Sequence, residues 1–178
     1  MSGLSGDFLH IGCGKMQPDE TNQLPSWASG CKETRLDIDP TANPDIVASM
    51  VDLGDIGPFD ITYSSHTLEH LYPHQVLDAL EEQFRVLRSG GVAIAFVPDL
   101  EGVEATDETI YTSVMGDAIS GLDMIYGKAS YVAYSPYMGH HCGFTSKTLG
   151  DVFRAAGFVD VDTKRISNSV LCTGRKPK

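Results

Sequence analysis

Residues able to do chemistry gather at a few places in this chain. An apolar stretch runs into His10-Ile11-Gly12-Cys13-Gly14-Lys15, a glycine pair directly after what reads as a strand. Glycines there let the backbone turn sharply and let a ligand lie against the main chain, where a Cβ would stand in the way. The same pair also serves a tight turn with no ligand at all. Asp37 closes the next apolar run 23 residues past Gly14, near the offset of about 20 residues at which a carboxylate meets an adenosine ribose. Two vicinal hydroxyls can both donate to one carboxylate, so the residue type suits that task. Asp39 offers the same chemistry two residues on, and either aspartate can instead cap the segment that begins at Pro40.

A dinucleotide loop of the GxGxxG type requires a third glycine where Gln17 stands. A nucleoside-triphosphate loop requires a Ser or Thr after its GK, and here Met16 follows Gly14-Lys15. The cradle for a pyrophosphate is incomplete, and the expected ligand is an adenosine without phosphates. His66, His70 and His74 are spaced to align on a helix, but Pro73 interrupts it, so this trio is not expected to hold a metal. His70 follows Glu69 and reads as a structural group bonded to backbone. His140 and His141 are adjacent on an extended segment and point in opposite directions, so at most one should face a cleft. Cys13, Cys31, Cys142 and Cys172 show no CxxC spacing and suit a reducing cytoplasm, the expected compartment.

These residues need a scaffold. Continuous apolar runs at Phe8–Ile11, Arg35–Ile38, Asp45–Ala48, Phe59–Tyr63 and Val92–Val97 read as buried parallel strands. Gln75–Arg88 carries Val76, Leu77, Leu80, Phe84 and Leu87 on one stripe and ends at Gly90-Gly91, so Phe59–Val97 forms one right-handed βαβ unit. Thr145 caps a second helix with Leu149, Val152, Phe153 and Ala156 inward. Phe158–Ile166 and Val170–Gly174 follow as an antiparallel hairpin around Ser167-Asn168-Ser169. Residues 100–144 hold five of the seven tyrosines and read as a lid, with one or two helices over Asp107–Ile125. Tyr111, Tyr126, Tyr131, Tyr134 and Tyr137 are candidates for an acceptor pocket, though most are expected to pack the lid onto the sheet.

The length of 178 residues suits one domain, residues 1–178 with 100–144 as its insertion. A net charge of -11 disfavours nucleic-acid partners, and no apolar run approaches the length of a membrane span.

The runs Phe8-Leu-His-Ile-Gly-Cys-Gly14, Arg35-Leu-Asp-Ile-Asp-Pro40, Phe59–Leu71 and Phe84–Val92 together resemble the class I S-adenosylmethionine-dependent methyltransferases, particularly the small type 11 group. Gly143-Phe-Thr through Ala156-Gly-Phe158 extends the likeness to the closing helix. The resemblance implies an α/β fold: a doubly wound, mostly parallel seven-stranded sheet with helices on both faces and a closing antiparallel hairpin. It implies S-adenosylmethionine as cofactor, with His10, Gly12, Cys13 and Gly14 at its methionine portion and Asp37 on the ribose. Ile38 would pack on adenine, Ser49 and Met50 would border its edge, and Ser64, Ser65 and His66 would face the amino acid end and the methyl group. His10 stands where the family usually has an acidic residue, and Ser49 where Asp often contacts the adenine amine. The expected reaction is in-line methyl transfer to a small or medium-sized acceptor without a metal, with His66, His141 or Asp99 as candidate bases. A noncatalytic adenosine-binding module is the alternative, and a nicotinamide enzyme is disfavoured by the missing third glycine. Little chain precedes the first strand, so the lid or a second subunit, as in a homodimer, is expected to cover the cofactor.

Overall fold

The apolar runs pair into a sheet whose spatial order departs from chain order, and that departure creates the site. The structure is a computed structural model describing residues 6–15, 28, 30–113 and 116–178. The strands are β1 (Gly6–Ile11), β2 (Cys31–Asp37), β3 (Ile46–Val47), β4 (Phe59–Ser65), β5 (Leu87–Pro98), β8 (Val159–Ile166) and β9 (Ser169–Arg175), in the order β3-β2-β1-β4-β5-β9-β8. The first five are parallel to one another, and β9 runs antiparallel to both β5 and β8. The chain steps outward from β1 to β3, then returns to β1's other side with β4. Strand ends diverge at such a switch point and leave a crevice at their carboxyl ends.

Apolar residues on both sides of the sheet explain why its strands read as continuous rather than alternating runs. Leu9, Ile11, Leu36, Ala93, Ala95 and Val97 face a large cluster that also takes in Leu80, Leu149 and Phe153. Those last three belong to α1 (Val76–Val86) and α4 (Ser146–Ala155), so both helices cover one face. The opposite cluster joins Phe8, Ile61, Tyr63, Ile94 and Leu171, with Ala28 against them. Helix α4 starts where expected because the Thr145 hydroxyl accepts from the Thr148 amide, a cap worth about 1 kcal/mol. Helix α1 ends earlier than the glycine pair suggested: Leu87 is already extended and opens β5.

Residues 100–144, the segment read above as a lid, depart most from expectation. Where one or two helices were expected over Asp107–Ile125, the chain forms a two-stranded ribbon, β6 (Thr109–Thr112) with β7 (Ala118–Ser120). Among the described residues of this segment, α-helix is confined to α2 (Gly121–Tyr126) and α3 (Ala129–Tyr134). The Ser120 hydroxyl and the Asp123 carboxylate form a reciprocal cap that sets where helix can begin. Among the described residues no helix is long and apolar enough to cross a membrane.

Candidate active site

At the end of β1 the chain must reverse against β4 with almost no room. Gly12 has φ +67°, and a Cβ there would lie 2.5 Å from the Thr67 side chain just past β4. Glycine is thus required twice over, by conformation and by space. The Gly12 and Cys13 amides donate to the Leu36 carbonyl at 2.8 and 3.1 Å. Gly14 has φ +59° with nothing within 4 Å of where its Cβ would be, so that side of its main chain borders open space.

Asp37 organises this turn. One carboxylate oxygen accepts from the Gly14 amide at 2.8 Å and the other from the Asp39 amide at 2.9 Å. A carboxylate has about four lone-pair positions, so two remain for outside donors. Asp39 is occupied as the cap of its own turn, accepting from the Thr41 amide and hydroxyl. Arg35, absent from the expected set, donates to the carbonyls of Asn43 at 3.0 Å and Gly14 at 2.5 Å while almost fully buried. An arginine in a strand gives no local hint of this; only its reach across the turn reveals it.

The other expected cofactor residues fall around the turn in different settings. Ile38 is 45% exposed directly after Asp37, an apolar surface beside the open space. Ser49 forms a tight turn, its hydroxyl accepting from the Val51 amide, while Met50 is buried in the main core. His10 is turned away from the glycine turn's open side: it lies against Tyr63 and its Nδ1 pairs with Glu33 at 2.8 Å. Burial dominates and holds the His10 pKa below the usual histidine value, although Glu33 opposes the shift. Burial also pushes the Cys13 thiol up to about 11, which keeps it protonated and poorly nucleophilic. Ser64 is fully buried with no hydrogen-bond partner for its hydroxyl.

Beyond β4 the crevice widens into a cleft of about 540 Å³. His66, Glu69 and His70 form one wall, Tyr111, Ile119, Met124 and Tyr131 of the lid another, and Asn168 of the β8–β9 turn a third. His66 sits at φ +51°, its amide donating to the Phe96 carbonyl. Its Nδ1 lies 3.3 Å from Glu69 Oε1 and its Nε2 3.4 Å from the Ser169 hydroxyl. Burial disfavours its imidazolium, but contact with the Glu69 carboxylate outweighs that and holds its pKa above the usual value.

Of the three expected bases, His66 alone lines the cleft. The adjacent histidines do diverge, but it is His140, not the expected His141, that faces inward. His141 stacks on Tyr72 at 4.4 Å on the outside, while His140 is locked to the Met124 carbonyl at 2.8 Å. Asp99 is buried beneath the cleft, ion-paired with Arg165 and accepting from the Glu101 amide at 3.0 Å. These contacts tie the end of β5 to the closing hairpin. Among the tyrosines, Tyr111 and Tyr131 line the cleft, whereas Tyr126, Tyr134 and Tyr137 are about half exposed or more. Tyr131 is fixed by donating to the Asp117 carboxylate. Tyr134 reaches back over the glycine turn, accepting from Lys15 Nζ at 2.8 Å.

Seven strands in this order, with a glycine turn and a closing carboxylate at the switch point, define the class I methyltransferase fold. Residues 9–95 match the family model described as a methyltransferase domain. No curated protein matches it in sequence. Solved structures resemble it closely in fold and weakly in sequence. The S-adenosylmethionine-dependent methyltransferase SibL, in its apo form, has a TM-score of 0.61 at 17% identity, with 97% of this chain and 50% of that one covered. Human N-acetylserotonin methyltransferase in complex with SAM gives 0.61 at 16%, covering 97% and 48%. The 1,6-didemethyltoxoflavin-N1-methyltransferase of Burkholderia thailandensis, with its bound 1,6-didemethyltoxoflavin and S-adenosylhomocysteine, gives 0.61 at 18%, covering 97% and 71%. The chain thus spans about half the length of the first and second of these.

Proposed function

We propose that this chain transfers a methyl group from S-adenosylmethionine to a small or medium-sized acceptor. The observation that carries the reading is the meeting of two unlike surfaces at one switch point. On one side lie a bare glycine turn and an aspartate with spare acceptor capacity; on the other lies a largely apolar, tyrosine-edged cleft. The domain model and the neighbours named with SAM or S-adenosylhomocysteine support the choice of cofactor. The toxoflavin precursor in one of those structures supports an acceptor of small-molecule size, which the cleft volume also admits.

In this reading Asp37 takes the two ribose hydroxyls on its free lone pairs, Ile38 covers one face of adenine, and the open side of Gly14 meets the methionine portion. Ser64 gains a partner for its buried hydroxyl at the amino acid end. When bound, the cofactor supplies an electrophilic methyl on a sulfonium that is already a good leaving group, so alignment provides much of the rate. Tyr111 and Tyr131 frame the acceptor, and the lid excludes water from it. His66, held by Glu69, receives a proton from an oxygen or nitrogen acceptor.

Isothermal titration of the folded chain with S-adenosylhomocysteine, followed by a product assay over an acceptor panel, tests this. Binding plus a methylated product is expected. Binding with every acceptor left unmodified would mark a noncatalytic adenosine-binding module, and no binding at millimolar ligand would remove the reading.

A further inference from the structure

The cleft wall holds a second constellation that methyl transfer does not require. Glu69, His70 and His140 bring one ligand atom each to within 4.8 Å of one another. Glu69 is 1% exposed, and neither of its carboxylate oxygens receives a well-aligned hydrogen bond. A buried carboxylate left this bare is costly unless a cation compensates it, and His66, 3.3 Å from one oxygen, addresses only half of the group.

The two histidines are prepared in a matching way. His70 Nδ1 donates to the Gly139 carbonyl at 3.1 Å, and His140 Nδ1 to the Met124 carbonyl at 2.8 Å. A carbonyl can only accept, so each Nδ1 carries the proton and each Nε2 is left with a lone pair. Backbone carbonyls orient metal-ligating histidines in this manner. The two rings meet edge-to-face with centroids 5.1 Å apart. The nearby Cys142 thiol is committed elsewhere, donating to the Leu68 carbonyl at 3.3 Å. The scaffold beneath is stiff, since the amides of His141 and Cys142 both donate to the Glu69 carbonyl.

We propose that Glu69, His70 and His140 bind one divalent transition-metal ion of the zinc class, through a carboxylate oxygen and two Nε2 atoms, with its open position facing the cleft. Two histidines and a carboxylate with an open position are a recurrent catalytic donor set for zinc and iron(II). Ligand atoms around tetrahedral zinc lie roughly 3.4 Å apart at bonds of about 2.1 Å, so the three side chains, within 4.8 Å of one another, would draw closer together on binding. Of the spaced trio His66, His70 and His74, His74 is stacked on Tyr72 and takes no part in this cluster. The third ligand comes instead from the lid, 70 residues further along the chain than His70. An ion here would ease proton loss from an acceptor oxygen in the cleft, but the site itself stands independently of the methyl-transfer reading.

The test uses the full chain stripped with a chelator and titrated with zinc or cobalt(II). One equivalent should bind, raise the melting temperature, and give cobalt d–d bands without a thiolate charge-transfer band. Glu69→Gln and His140→Asn should each weaken binding by roughly a hundredfold or more, with circular dichroism confirming that both remain folded. No binding at millimolar metal, a thiolate band, or affinity undiminished in both variants would overturn the proposal. S-adenosylhomocysteine affinity, measured on the same samples, reports separately on the cofactor surface.

Discussion

The two halves of the crevice are built on different principles. The glycine-turn half is made of main chain and one aspartate, drawn from consecutive strand ends: Gly12 and Gly14 after β1, Asp37 at the end of β2. The cleft half is made of side chains from distant segments: His66 and Glu69 after β4, Tyr111 and Tyr131 in the lid, Ser169 in the closing hairpin. Backbone geometry leaves one way to build the first half, whereas the second can be rebuilt by changing a few side chains. One half therefore suits a constant ligand and the other a variable one.

If that contrast holds, damage to each half should be separable. The largest effect is expected from Asp37→Ala, which removes two prospective bonds to ribose and frees the Gly14 and Asp39 amides. Hydrogen bonds to a charged group are worth about 1.5–3 kcal/mol each, so S-adenosylhomocysteine affinity by calorimetry should fall at least roughly a hundredfold. An affinity within a few-fold of the parent chain would break the assignment. Gly12→Ala comes next, because it combines a positive φ with contact against Thr67. A cost of about 1–3 kcal/mol is expected, read as a lowered melting temperature together with weaker cofactor binding.

On the cleft side, Tyr131→Phe keeps the ring and removes the bond to Asp117. A loss near 1 kcal/mol of lid order should raise the acceptor KM several-fold and leave S-adenosylhomocysteine affinity unchanged; equal changes in both would blur the division. The smallest effect belongs to Lys15→Met, which cuts the exposed link from the glycine turn to Tyr134. Exposed polar contacts contribute little, so stopped-flow release of S-adenosylhomocysteine should quicken by roughly threefold at most.

The same contrast explains what could be read from the residue order. The strands of the seven-stranded sheet, α1 and α4 announce themselves by apolar period and caps, and the glycine turn with Asp37 by spacing along adjacent strands. The lid resisted reading because β6, β7 and α2 are short and β6 is largely exposed, so periodicity carries little there and the Ser120–Asp123 cap decides. The sequence narrowed the inward histidine to a pair and took His141, the wrong member, since which of the two side chains faces inward depends on the Met124 carbonyl contributed by α2. Arg35 and Glu69 had no local signature; their roles exist only through partners brought near by the fold.

The central claim is that one ligand bridges these halves, its adenosine on the glycine turn and its sulfur toward the cleft. A crystal structure of the chain soaked with S-adenosylhomocysteine tests it most directly. The account predicts both ribose hydroxyls on Asp37, and the sulfur opening toward His66. A nucleoside found elsewhere, or an Asp37 carboxylate pointing away from the sugar, would contradict it.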